Sequence, residues 1–440
     1  MNVDQVMAPR MPPASPRVRA MLQDPILPTI LRMSWPNMLM MLAQASTGLI
    51  EMWFLAKLGT DVLAGVAVVV PVLMLMQNMS QGALGGGISA AVARALGSGH
   101  AALADSLARH ALVLSAGVGL VFTLLLLVFS GPLFHLLGAR GAALAVAQDY
   151  GHVVFAALVL MWAMNALASV VRGTGNMLVP GAVICGGALL LIPICPALIF
   201  GFGPIPALGV VGGAWALVAY YAIGTLVLAW YCASGRNAAK LHTGPVHWAP
   251  MRNILTVGGL ACINPLLTNG LIASTAAIVG AHAGSEALAG YATAARLEYL
   301  LIPIAFGLGA PMVALVGANI GAGQPERARR IALFGGDERM LETGAQYLRI
   351  AGPFYGFFAM GIALYFASQG AGRLKWPLLA GALRLGRYAG LGWAALVATG
   401  SLTAFFAFGA AAMAAYGLII FWSVASGSWF AQERRQGAAP

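Results

Sequence analysis

Residues 93–105 read ARALGSGHAALAD, and residues 318–329 read ANIGAGQPERAR. In each, a small-residue run ends on a glycine turn before a new helical pattern begins, and Gly97 and Gly321 stand 224 positions apart. Nearly the same offset relates Ala64-Gly65 in TDVLAGVAVVVP to Ala289-Gly290 in SEALAGYATAAR. RGTGNMLVP (172–180) returns as QGAGRLKWP (369–377), with Gly173 over Gly370 but only 197 positions away. Motifs repeated in one order imply two similar halves, a design common among transporters and found also in plain duplications. The shrinking offset leaves the second half about 27 residues short, close to the ~20-residue length of one membrane span.

The medium follows from composition. Of 440 residues, 60% are hydrophobic and 8% charged, with a mean hydropathy of +0.84. Soluble domains carry about 25% charged residues. Apolar stretches cover roughly 28–55, 62–92, 108–131, 147–170, 178–201, 207–232, 252–280, 287–317, 347–368, 377–399 and 403–430. Each can cross a bilayer as a helix. The fold class expected is therefore all-α, a polytopic membrane protein of two pseudo-symmetric helical lobes, six helices plus five or six. A net charge of +11 raises nucleic acid as a partner, but the basic residues sit in short segments between apolar runs, as in membrane loops. No nucleic acid is expected. The four Cys form no C-x-x-C pair and have no His at ligand spacing, so no metal is assigned.

Arg94, Arg109, Arg172, Arg236, Lys240, Arg252, Arg327, Arg329 and Arg330 mark alternate connections, while the others hold only Lys57 and Arg140. Cytoplasmic loops concentrate Lys and Arg, which places the N-terminus in the cytoplasm. The rule fails after the eighth span. Arg373, Lys375, Arg384 and Arg387 fall outside unless another crossing intervenes, and the chain after Arg330 is too charged and short to supply one. The organisation expected is a disordered cytoplasmic tail (1–25), an N-terminal lobe of six helices (26–235), a cytoplasmic linker (236–251), a C-terminal lobe lacking its third helix (252–430) and a second tail (431–440). Gly335–Thr343 is expected as an external loop.

No phosphate-binding P-loop, H-E-x-x-H or G-x-S-x-G occurs, so an enzyme is not expected and an ion gradient has to drive any active transport. Glu51, in QASTGLIEMWFLAKLG (44–59), is the first candidate for coupling. A carboxylate within a span costs about 2.5–3.5 kcal/mol to insert and by default marks an ion or substrate path. The bland alternative is a carboxylate near the outer surface paired with Lys57. Gln44, Thr47 and Glu51 share one helix face. With Asn37, Gln77, Asn78, Gln81 and Asn165 they are candidates to line a central cavity, as are Asn264, Asn269, Arg296 and Glu298 in the second half. Interhelical hydrogen bonding explains any of them equally well. Pro36, Pro71, Pro265 and Pro303 can kink their helices, and the glycine run GALGGGIS (82–89) reads as close helix packing.

These residues carry a resemblance to the multidrug and toxic compound extrusion (multi antimicrobial extrusion) family of cation-coupled antiporters. The likeness rests on Pro36, on Glu51 ahead of WFLAKLG, on LAG and ARALGSG, and in the second half on ARLEYLLIPIAFGLGAPMVALVGANIGAG (295–323) and YLRIAGPFYGFFAMGIALYFASQGAG (347–372). It implies a V-shaped bundle of twelve helices in two lobes that exports organic, often cationic, drugs or toxic compounds in exchange for H⁺ or Na⁺, without a bound cofactor. It gives Glu51 the coupling-ion role, with Glu where the family usually has Asp and Ala56 where Gly is usual. Acids that some members carry in the seventh and tenth helices have no match here. The resemblance further implies a monomer in a bacterial-type inner membrane, contacting lipids and small organic substrates. Two alternatives stay open: a lipid-linked saccharide flippase of related design, and an inactive or scaffold protein for want of a C-lobe helix.

Overall fold

The computed structural model describes residues 15–204, 206–271, 274–275, 278, 305–334, 355–399 and 402–426. Among them, seven helices are long and apolar enough to cross a membrane. The N-terminal lobe comprises α2 (Ile26–Leu55), α3 (Thr60–Gln77), α4 (Gly85–Gly97), α5 (Ala101–Leu136), α6 (Gly141–Ala156), α7 (Leu158–Gly173), α8 (Leu178–Phe200) and α9 (Val210–Ala233). A π-turn, Asn78–Leu84, joins α3 to α4 within one continuous span. The expected fourth span is a broken one: α6 and α7 meet at Ala157 with a 46° bend. By contrast α2 stays a continuous helix through Pro36, and α3 through Pro71.

The second lobe includes α10 (Trp248–Ala261), α11 (Ala305–Gly321), α12 (Pro325–Phe334), α13 (Tyr355–Ala371), α14 (Lys375–Leu385), a π-turn (Gly386–Gly392), α15 (Trp393–Thr399) and α16 (Leu402–Ala425). Its packing repeats that of the first. A Cβ on Gly173 would stand 2.8 Å from the Ser89 carbonyl oxygen and 2.9 Å from Val92 Cβ; one on Gly370 would stand 2.8 Å from the Val313 carbonyl oxygen and 3.0 Å from Val316 Cβ. Ser89 and Val313, like Val92 and Val316, are 224 positions apart. Residues without a Cβ let backbones meet, the usual device between membrane helices. The repeated glycines therefore mark repeated helix crossings.

The basic segments gather at one end. Arg94 donates to the Gly370 carbonyl (3.3 Å) and to Asn253 Oδ1 (3.4 Å), Arg109 to the His242 carbonyl (3.5 Å), and the Lys240 backbone N–H to Asp105 Oδ1 (2.6 Å). Gly370 thus brings the start of the Arg373–Lys375 segment to the end that holds Arg94. Gly321 reaches the same place, against the Arg94 carbonyl. Residues 335–354, on which the missing-helix expectation and the Gly335–Thr343 loop fall, lie outside the described residues, as do the tails 1–14 and 427–440.

One expectation needs correction. The segment assigned to a disordered tail holds α1 (Pro16–Gln23), capped by Ser15, with Val18 and Met21 buried. Pro at its first turn and Ser at its N-cap are standard helix starters. Its anchor is distant in sequence: Asn319 Nδ2 donates to the Met21 carbonyl at 3.0 Å, and Arg327 donates to that of Asp24.

Candidate functional site

Glu51 lies in the last turns of α2 and is 4% exposed. Among the described residues it is the one buried carboxylate. Tyr150, from α6, donates its hydroxyl to Glu51 Oε1 at 2.6 Å. Gly213 of α9 presses against the same oxygen: a Cβ there would stand 3.3 Å away. The carboxyl is therefore enclosed within the N-terminal lobe by α2, α6 and α9. Pairing with Lys57 does not occur; that ammonium lies 3.8 Å over the Trp53 ring. No Lys or Arg forms an ion pair with Glu51 among the described residues. Among the described residues its side-chain hydrogen-bond partner is the Tyr150 hydroxyl.

Gln44, Thr47 and Glu51 are not among the residues that line the cleft between the lobes. Thr47 is buried and bonds the carbonyl of Gln44 (2.7 Å), and Gln44 Oε1 is buried without a partner among the described residues. The helix packs this face inward instead of wetting it. Tyr150 escaped the sequence reading because a tyrosine in an apolar run has many structural uses; only the α2–α6 contact gives it this one.

A second polar group runs along the π-turn and α7. Gln77 Nε2 donates to Gln81 Oε1 (2.6 Å), while Asn165 Nδ2 donates to Gln77 Oε1 (3.3 Å) and Ser80 Oγ (2.7 Å). Ser169 Oγ bonds the Asn165 carbonyl (2.7 Å) and accepts from Arg172 Nη2 (2.6 Å). Three candidates named from sequence, Gln77, Gln81 and Asn165, thus form one network. Asn78, next to them, is half-buried and joins no described hydrogen bond. The π-turn has a role here, because its extra residue re-aims polar side chains that a regular helix would scatter.

Between the lobes a narrow cleft of about 20 Å³, room for one water, is lined by Asn37, Gln81, Ser89 and Arg172 on one wall and by Phe306 and Phe366 on the other. Asn37 ties the two walls, donating to the Phe306 and Gly307 carbonyls at 2.9 and 3.1 Å. Asn264 and Asn269 are half-buried outside this cleft, and Asn269 bonds the Pro265 carbonyl of its own helix (2.8 Å). Arg296 and Glu298 lie outside the described residues. No group of His, Cys, Asp and Glu suited to a metal ion occurs among the described residues.

Two packed helical lobes, a buried carboxyl and a polar cleft at the seam are features of a membrane transporter. A family model described as MatE matches residues 36–197 and 261–333. The chain belongs to this family, the multidrug and toxic compound extrusion transporters: it is a secondary-active efflux protein driven by an ion gradient, and not an enzyme. It is 28% identical over 355 residues to the FAD transporter of Shewanella oneidensis, covering 79% of this chain and 76% of that one. It is 24% identical over 390 residues to the probable multidrug resistance protein NorM of Thermotoga maritima, covering 80% and 81%. A solved MATE in the bent conformation superposes with a TM-score of 0.83 at 22% identity, over 97% of this chain and all of that one. A MOP superfamily transporter of Pyrococcus furiosus, described as having a binding pocket of reversed polarity, superposes with a TM-score of 0.81 at 22% identity, over 94% and 98%. That likeness shows the two-lobed fold.

Proposed function

We propose that this protein exports small organic compounds from the cytoplasm in exchange for protons, with Glu51 as the carrier of the coupling ion. The observation that carries the reading is a carboxyl buried inside a lobe with a tyrosine hydroxyl at 2.6 Å and no cation from the described chain to balance it. A Na⁺ ion draws on several oxygen ligands, whereas this carboxyl has one hydroxyl bonded to it. Proton exchange needs no more than that. The intramembrane acid also fits the general rule that such residues mark ion pathways. The gathering of Arg94, Arg109 and Lys240 at one end supports a cytoplasmic N-terminus in a bacterial-type inner membrane.

The relatives differ in the cargo for which they are named, FAD in one case and drugs in another. The cargo of this chain is therefore read from its own cleft. The test of coupling is efflux from inverted vesicles under an imposed pH or Na⁺ gradient. Glu51→Gln should insert normally and lose proton-driven efflux. Retention of that efflux, or a dependence on Na⁺ alone, sinks the assignment.

A further inference from the structure

The two walls of the inter-lobe cleft occupy equivalent places in the repeat yet differ in chemistry. Gly82, Gly86 and Ser89 of the first half correspond, at an offset of 224, to Phe306, Ala310 and Val313 of the second. Ser169 and Arg172 correspond, at 197, to Phe366 and Gln369. One wall carries Ser89 and the Arg172 guanidinium; the other is apolar and aromatic except for Gln369, whose Oε1 is buried without a partner among the described residues. Arg172 is 4% exposed and lines the cleft, and no carboxylate pairs with it among the described residues. Its described bond is the one to Ser169 Oγ, which leaves most of its fork of donors unused. A buried unpaired charge is costly unless something completes it.

The neighbouring groups point to what completes it. Ser89 Oγ, on the same wall, is buried without a hydrogen-bond partner. Gln81 gives its oxygen to Gln77, and its amide nitrogen has no bond among the described residues. A guanidinium, a hydroxyl and an amide thus converge as donors, an arrangement that suits the several acceptor oxygens of a phosphate. Opposite them, Phe306 and Phe366 form an edge-to-face pair with centroids 4.5 Å apart, a surface for a planar ring. The cleft also carries an unpartnered buried acceptor, Asn37 Oδ1, which needs an N–H or O–H from the cargo. Gly85 leaves room for Ser169, which bonds Arg172: a Cβ there would stand 2.5 Å from Ser169 Oγ.

We propose that Arg172, with Ser89 and Gln81, binds the phosphate of an aromatic organic anion, so that the cargo is a phosphorylated, nucleotide-like compound. This rests on the exporter reading given above. The lobes are closed on the cleft here, and cargo enters when they part.

The test uses the full chain in phosphatidylcholine nanodiscs with flavin mononucleotide and riboflavin as probes, which share a ring and differ by one phosphate. Flavin mononucleotide should bind at least about tenfold more tightly than riboflavin, as expected for a lost charge-assisted contact. Arg172→Gln should erase that difference, and Ser89→Ala should reduce it. The variant counts only if it still binds riboflavin as the wild type does, and Ser89→Ala provides the second reading. Equal binding of the two flavins, no binding of flavin mononucleotide, or an unchanged preference in Arg172→Gln overturns the proposal. Displacement of flavin mononucleotide by added phosphatidylglycerol would give the site to a lipid headgroup, and also overturns it. Proton-driven ethidium efflux by the wild type is measured in parallel. Proton-driven efflux of flavin mononucleotide is followed beside it: if either compound is exported while the flavins fail to discriminate in binding, only the anion site falls; if neither is exported, the exporter reading falls.

Discussion

Gly97 and Gly321 are the two halves of one reciprocal contact across the lobe boundary. A side chain on Gly97 would run into the carbonyl of Ala318, and one on Gly321 into the carbonyl of Arg94. In each case the residue struck lies three positions before the other glycine, so the pair obeys a local two-fold relation. The lobes close at this end because neither glycine carries a Cβ.

Substituting either glycine should therefore have the same effect from opposite sides. Gly97→Ala and Gly321→Ala are each expected to cost about 1–3 kcal/mol by overpacking, and to prop the lobes apart at the basic end. A spin-label distance between α4 and α11 should lengthen in both variants. An effect confined to one of them would break the symmetry argument.

The Glu51–Tyr150 pair gives a graded prediction. Glu51→Gln removes the exchangeable charge and should reduce proton-driven efflux at least tenfold. Tyr150→Phe removes only a hydrogen bond to a charged group, about 1.5–3 kcal/mol, and should slow efflux while leaving it proton-dependent. Measured side by side in inverted vesicles, equal and complete loss in both variants would mean that Tyr150 is itself an obligatory carrier.

Asn37 ties the lobes through two bonds to residues about 270 positions away, at 2.9 and 3.1 Å. Asn37→Ala forfeits both, each worth about 0.5–1.5 kcal/mol. The population with the lobes parted should rise by roughly tenfold, visible as faster labelling of a cysteine placed at Ser89, which lines the cleft. Unaltered labelling would mean that these bonds do not hold the seam.

Asn165 is the hub of the polar network along α7. Asn165→Leu removes the bonds that Gln77 Oε1 and Ser80 Oγ accept from it, and about 1–3 kcal/mol of stability should go with them. The detergent-solubilised protein should unfold several degrees lower. Asn165→Asp, which keeps acceptors but not donors, should recover little of the loss, because Asn165 donates to both partners.

The two-lobed plan was legible because close backbone approach restricts residue type, leaving a trace in glycines such as Gly173 and Gly370. Glu51 was legible for a similar reason: a charge in an apolar run stands out. Its surroundings were not, since the spacing of Gln44 and Thr47 defines a helix face without saying what packs on it. Arg172 read as a loop marker, because its burial arises from the meeting of α4 and α7 and from the closure of the lobes. The small polar helix α1 escaped notice altogether. Its anchors, Asn319 and Arg327, are some 300 residues downstream.

That helix belongs to neither half of the repeat, yet it is held by both. Met21 packs on Gly175 of the first half, and its carbonyl is taken by Asn319 of the second. Any rearrangement that separates the halves at this end must surrender one attachment or the other. The eight residues of α1 thus strap the two halves together in the arrangement seen here, a tie that lies outside the repeat itself.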